Sequence, residues 1–295
     1  MIGLKNIISY YYNIDFGDIR QNKDKYYFEY NNQKYFFVPY NKDVKLLQDI
    51  YKLHIKLLEK KIPIHQIILN KDGGIVTFIN NNAYILLKIN VPINSIELND
   101  ILFFSQIYME TDEYNLKTLW EEKNDHLEYQ IKQIKNRYPL ISESFNYFIG
   151  LGENAIQILN NVTIYPKVIS HKRIKVTDNT FDLYNPLNLV IDCRVRDVCE
   201  YFKACFFSGK DINNSLDDFL NLSRLTKDEC YLFLARMFYP TYYFDIEEEI
   251  IKGNIKEEKI KKITNKVSDY EKILKKIYIF YKSTLKINIE WLEAI

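Results

Sequence analysis

Between Val168 and Lys203 the chain sets out, in order, Ser170-His171-Lys172-Arg173, Asp178-Asn179, Asp182, Val190-Ile191-Asp192 and Arg196-Asp197-Val198. Carboxylates and a carboxamide in that order suit metal-assisted phosphoryl transfer. An acid near a loop histidine takes the proton of the attacking hydroxyl, while an Asn and a later Asp hold magnesium on the phosphates. The acid belongs two residues after the histidine, and that position is Arg173. A guanidinium stays protonated and has no lone pair to receive a proton, so the residue that would begin the chemistry has the opposite charge. Two assignments of the metal acid compete. With Asn179 as the amide ligand, Asp192 falls thirteen residues later, at the right spacing but with one extra residue in the loop and almost no segment before Arg196-Asp197. With Arg196-Asp197 as a structural element opening a helix, counting back places the metal acid at Asp182. Asp192 is preferred, and either way Asp178, Asp182 and Asp192 could surround one magnesium ion.

The elements that must position these residues are legible from periodicity. Tyr26 to Val38 reads as two aromatic-rich strands about an Asn31-Asn32 turn. Asp43 to Lys60 places Val44, Leu47, Ile50, Tyr51, His54, Ile55 and Leu58 on one helical face, with Pro63 beyond its end. A hairpin then runs from Gln66-Leu69 through Asn70-Gly74 into Ile75-Ile79, and Asn80-Asn82 turns again into Tyr84-Ile89. Strand pair, helix and three-strand meander is the order of a kinase N-lobe. After Pro92 helices are expected at Asp100-Tyr108, Asn115-Asn136 (closed by Pro139), Ser142-Leu159, Arg196-Phe207, Asn213-Leu222, Lys227-Phe238, Ile246-Lys262 and Asp269-Trp291. Extended segments are expected around the His171 motif.

Composition narrows the function classes. At 295 residues and 47% hydrophobic the chain suits two lobes with a proper core. Forty basic against 39 acidic residues create no field that draws nucleic acid or an anionic membrane, and no apolar run approaches the length of a membrane span. Abundant Asn, Ile, Lys and Tyr fit an AT-rich genome, which accounts for runs such as Asn80-Asn81-Asn82. Cys193, Cys199, Cys205 and Cys230 form no Cys-x-x-Cys pair and no signal peptide precedes them, so they read as reduced packing residues of a cytoplasmic protein. The histidines at 54, 65, 126 and 171 show no metal spacing. Gly150-Leu151-Gly152-Glu153-Asn154-Ala155 imitates a dinucleotide fingerprint but follows a helical stretch, so a tight helix contact is the better reading. Lysines 252 to 266 alternate with glutamates as on a solvated helix.

The strands from Ile67 to Ile89, Leu119-Trp120-Glu121-Glu122-Lys123-Asn124-Asp125 with Glu128 and Gln130, Gly152-Glu153-Asn154-Ala155, and Leu234-Ala235-Arg236-Met237-Phe238-Tyr239-Pro240 together resemble the spore-coat kinase-like proteins of spore-forming Firmicutes (CotS/YutH type), nearest the YutH branch. The resemblance covers most of the chain. It implies an α+β, two-lobed, protein-kinase-like fold of the aminoglycoside-phosphotransferase kind, with an antiparallel-sheet N-lobe (1–91) and a mainly helical C-lobe (92–295). It also implies spore-coat proteins as partners and a path from the mother-cell cytoplasm to the coat. In that fold His171 supports the catalytic loop by packing and hydrogen bonding, with general base as its alternative role among the candidate catalytic residues Asp178, Asp182 and His171. The strand that would carry the ATP lysine, Lys34 to Tyr40, has Phe36-Phe37-Val38-Pro39 at its centre, and the following helix has its glutamate, Glu59, at the far end. Asp43, Asp49, Lys42 and Lys45 are poor substitutes.

Three functions follow as expectations. The first is a catalytically inactive pseudokinase with a structural or assembly role in the coat, where Tyr-rich surface could serve a lattice. The second is a divergent phosphotransferase using ATP and magnesium, with Asp178 or Asp182 as base and Asn179 and Asp192 toward the metal or nucleotide. The third is nucleotide or metabolite binding without transfer, at the Asn90-Val91-Pro92 hinge.

Overall fold

A computed structural model describes all residues except 1, 23, 42, 111–114, 135, 164, 176 and 295. The chain begins with α1 (Ile2–Tyr12), β1 (Arg20–Asn22), β2 (Lys25–Tyr30) and β3 (Gln33–Pro39). α2 (Val44–Glu59) leads to β4 (Gln66–Ile68), β5 (Thr77–Ile79) and β6 (Asn82–Lys88). Then come α3 (Leu98–Phe104), α4 (Leu116–Ile134), α5 (Pro139–Leu159), β7 (Lys167–His171), α6 (Thr180–Leu183) and β8 (Leu189–Cys193). The remainder holds α7 (Arg196–Ser208), α8 (Asn213–Leu222), α9 (Lys227–Phe238), α10 (Thr241–Ile251), α11 (Lys261–Thr264), α12 (Val267–Leu285) and α13 (Glu290–Ala294).

Two units result, and the division is discontinuous: residues 1–96 with 177–189, and residues 97–176 with 190–295. Residues 177–189 thus return to the first unit. Hydrogen bonds explain the return. Thr180 N donates to Asn94 O at 2.9 Å, Asn94 N to Thr180 Oγ1 at 2.7 Å, and His65 N to Tyr184 O at 2.9 Å.

In the first unit an antiparallel sheet runs β1-β2-β3-β6-β4. The β2–β3 hairpin forms about Asn31 and Asn32, whose φ values of 50° and 58° suit the tight turn that matches strand twist. Asp43 caps α2 by accepting from Lys45 N at 2.9 Å. The expected meander is corrected. β4 and β5 do not pair with each other; both pair antiparallel with β6, β4 at Leu86 to Lys88 and β5 at Asn82 to Tyr84. They are one strand interrupted by a loop, and Asn70 shapes that loop. Its Oδ1 accepts from Asp72 N and Gly74 N at 3.1 and 2.8 Å while Nδ2 donates to Val76 O at 3.0 Å, so the chain leaves the ladder and resumes in the same direction. Side-chain alternation then splits the apolar residues between two faces. Phe28, Phe37 and Leu86 pack with Ile8, Ile14 and Phe16, while Val38, Ile85 and Leu87 pack with Leu47 of α2 and with Phe181.

In the second unit α9 is the axis. From Glu229 to Phe238 every residue is buried, as a helix apolar nearly all round must be, with α5, α7 and α12 packed on it. β7 and β8 pair in a small second sheet. Three helix expectations are corrected here. Pro139 opens α5, at the first-turn position where its missing N–H has no role. The helix expected over Ile246–Lys262 breaks after Ile251 at Gly253, whose φ is +77°. The one expected to reach Trp291 ends at Leu285, with Lys286 in the left-handed region at φ 55°.

Candidate functional site

β7 delivers His171 to a buried position, where two bonds to one carboxylate hold it. Its Nδ1 lies 2.6 Å from Asp197 Oδ2, and its backbone N–H donates to Asp197 Oδ1 at 3.0 Å. Asp197 sits in the first turn of α7, where the helix dipole favours a negative charge. The Phe104 ring meets the imidazole edge-on at 4.8 Å. Arg173, two residues after His171, gives Nη2 to Asp245 Oδ1 of α10 at 2.5 Å, with both side chains partly exposed.

Asp192 is the penultimate residue of β8, its side chain 4% exposed, and two guanidinium groups flank it. Oδ2 is in close contact with Arg196 Nη1, while Oδ1 accepts from Arg236 Nη2 at 2.5 Å and from Cys193 N at 2.6 Å. Arg236 Nε donates to Cys193 Sγ at 2.9 Å, and its guanidinium lies 5.7 Å from the Trp120 ring. Burial foremost pushes the Cys193 thiol up to about 12, against the pull of Arg236, so it is not a nucleophile near neutrality.

Asn179, Asp182 and Asp178 belong to the first unit and His171 and Asp192 to the second. Asn179 is the N-cap of α6: Oδ1 accepts from Phe181 N at 3.0 Å, and Asp182 completes a capping box back to Asn179 N. Asp182 Oδ1 is 3.2 Å from Lys25 Nζ, which also lies 4.5 Å from the Phe181 ring centre. Phe181 is 3% exposed and packs against Phe36 of β3 at 4.6 Å and His65 at 5.4 Å. Asp178 is half-buried just before this cap.

Among the described residues no three His, Cys, Asp or Glu side chains gather as metal ligands. The centre of β3 is Phe36-Phe37-Val38, with no lysine, and Phe181 packs against Phe36. Lys45 is exposed in the first turn of α2, Glu59 is that helix's last residue, and Lys42 lies outside the described residues. Sequence reasoning missed Arg236, Lys25 and Phe181. Arg236 had a signal, since a cation in the otherwise apolar run Cys230–Phe238 needs a buried anion; Lys25 had none.

Residues 5–277 match the family model described as "Spore coat putative kinase YutH". The chain belongs to the YutH spore-coat family. Within it, the endospore coat-associated protein YutH of Bacillus subtilis is 30% identical over 183 residues, 54% of this chain and 54% of that protein, so the match spans about half of the relative's length. The fold is that of an aminoglycoside phosphotransferase from Alicyclobacillus acidocaldarius, with a TM-score of 0.65, 9% identity and coverage of 98% of this chain and 96% of that one. A spectinomycin phosphotransferase in complex with ADP and spectinomycin gives 0.54 at 13% identity, covering 86% and 89%. At these identities the likeness is one of fold.

Several of the residues that carried the YutH resemblance meet in the interior of the second unit. Trp120 of α4 stacks on Tyr239 at 4.1 Å, Tyr239 OH donates to Asn124 Oδ1 at 3.2 Å, and Gly152 of α5 faces the Asn124 carboxamide. Gly152 is thus the tight helix contact expected in place of a phosphate turn. No helix among the described residues is long and apolar enough to cross a membrane.

Proposed function

We propose that this YutH-family chain is a pseudokinase, a kinase-like protein of the endospore coat that acts structurally or in assembly and does not transfer phosphate. The observation that carries the reading is the state of Asp192. The acid preferred for magnesium is neutralised by Arg196 and Arg236, so the protein's own cations do what a metal would do for that charge. Arg173 in place of a base, a β3 centre without lysine, and Phe181 against Phe36 support the same conclusion. Coat location is inferred from the family and from the coat-associated Bacillus subtilis relative. The path is mother-cell cytoplasm first and coat afterwards, with coat proteins as partners.

Thermal midpoints with and without millimolar ATP and Mg²⁺ test the loss of activity, because a ligand of the native state must raise the midpoint. The expected result is no shift, together with a loss of about 3–5 kcal/mol in Asp192→Asn, which strands two guanidiniums. A wild-type shift abolished by Asp192→Asn would instead show an ATP and magnesium site and favour the divergent phosphotransferase. A fluorescent fusion followed through sporulation should form a shell on the forespore; persistent diffuse signal would remove the coat assignment.

A further inference from the structure

The second unit carries a groove of about 570 Å³ between the end of α5 and the segment from Ile287 to Trp291. Its chemistry differs from that of the Asp192 network. Asn154 and Gln157 on α5, Asn161 just beyond it and Asn288 opposite supply four carboxamides; Glu290 is the one charged residue, and no lysine or arginine lines the groove. The amides are largely uncommitted. Asn154 and Asn161 each use one N–H on their own backbone turn, at 2.8 and 3.2 Å, leaving the carbonyl oxygen and second N–H available, while Gln157, Asn288 and Glu290 have no side-chain partner among the described residues. The apolar part is Ile158, Ile287, Ile289 and Trp291, whose buried indole N–H also lacks a partner.

The groove is held ready. Tyr278 OH lies 3.1 Å from Ile287 O and 2.7 Å from Glu293 Oε1 and accepts from Ile289 N at 3.3 Å; Tyr231 OH bonds Leu285 O, and Phe238 meets the Trp291 ring edge-on at 5.8 Å. A fixed loop lowers the ordering cost of binding. Carboxamides present a donor and an acceptor together, which is what ring hydroxyls need. The aromatic and isoleucine surface suits the C–H face of a sugar ring, and the lack of cations disfavours phosphates and carboxylates. We propose that this groove binds a neutral saccharide. The proposal stands whether or not the protein is a pseudokinase.

Saturation-transfer NMR with millimolar cellobiose and, separately, N,N′-diacetylchitobiose tests it on the full chain, with glucose 6-phosphate as the anionic comparison. Transfer to a neutral disaccharide is expected, weakened roughly tenfold in a Gln157→Ala/Asn288→Ala variant, the size of two lost hydrogen bonds. Both positions are exposed, so the thermal midpoint should not move. No transfer with either disaccharide, equal transfer in the variant, or preference for the phosphate would overturn the assignment.

Discussion

Asp192 and Glu247 are both buried carboxyls, and the protein treats them in opposite ways. Asp192 lies between two guanidiniums, whereas both oxygens of Glu247 are buried without a partner. Burial pushes Glu247 up to about 8, which keeps it neutral near pH 7. The folded pKa lies above the unfolded value of 4.5, so the stabilisation is complete below pH 4.5 and is lost as pH rises toward 8. At about 1.4 kcal/mol per pKa unit the penalty in alkaline solution is a few kcal/mol. Glu247→Gln should therefore raise the urea midpoint at pH 8.5 and leave it nearly unchanged at pH 5; a gain of equal size at both would rule out titration as the cause. Asp192 was visible in the sequence because the Asn179 spacing points to it. Arg236 as its partner was not, because it lies 44 positions further along the chain, with the whole of α7 and α8 and most of α9 between them.

At the scale of elements, charge and close packing fix the helices of the second unit. Lys203 of α7 is 1% exposed and donates to Arg236 O and Tyr239 O at 2.9 and 3.3 Å, satisfying carbonyls at the end of α9, with Glu200 2.6 Å away as its counter-ion. Between α4 and α5 the contact is steric. A Cβ on Gly152 would sit 3.0 Å from Asn124 Nδ2 and 3.2 Å from Oδ1, and Asn124 is buried and holds Tyr239 OH. Alanine in a helix interior normally gains about 1 kcal/mol over glycine. Here Gly152→Ala should destabilise, yet should stabilise in an Asn124→Ala background, and a double-mutant cycle in urea should return a coupling above about 1 kcal/mol. Identical effects in both backgrounds would place the constraint elsewhere. Asn213–Leu222 and Lys227–Phe238 formed where their periodicity placed them. The β4–β5 interruption did not read correctly, because Asn70-Lys71-Asp72-Gly73-Gly74 is as good a reversal as an excursion until β6 takes both strands.

For the whole molecule the two units carry opposite acid responses. In the first, His54 Nε2 accepts from Ile67 N at 3.1 Å and His65 Nδ1 from Asn90 N at 3.3 Å, so each ring is needed as an acceptor. Burial lowers both to about 4 from 6.5. Their contribution is complete above pH 6.5 and lost as pH falls toward 4, at about 1.4 kcal/mol per pH unit for each histidine. Glu247 moves the second unit the other way. Calorimetry at pH 7 and pH 5 should show one transition falling and one rising on acidification; two transitions moving together would mean that these three groups do not set the slope.

By itself the sequence determined the β2–β3 hairpin, most helices and the YutH likeness, because turn chemistry, periodicity and motif spacing are local properties of the chain. Only the tertiary structure decided that Asn179 and Asp182 cap α6, that Phe181 packs on Phe36, and that Asp192 belongs to Arg196 and Arg236. A carboxylate has the same chemistry wherever it lies in a sequence; what it binds depends on which cation the fold brings within hydrogen-bond distance and whether water is shut out there.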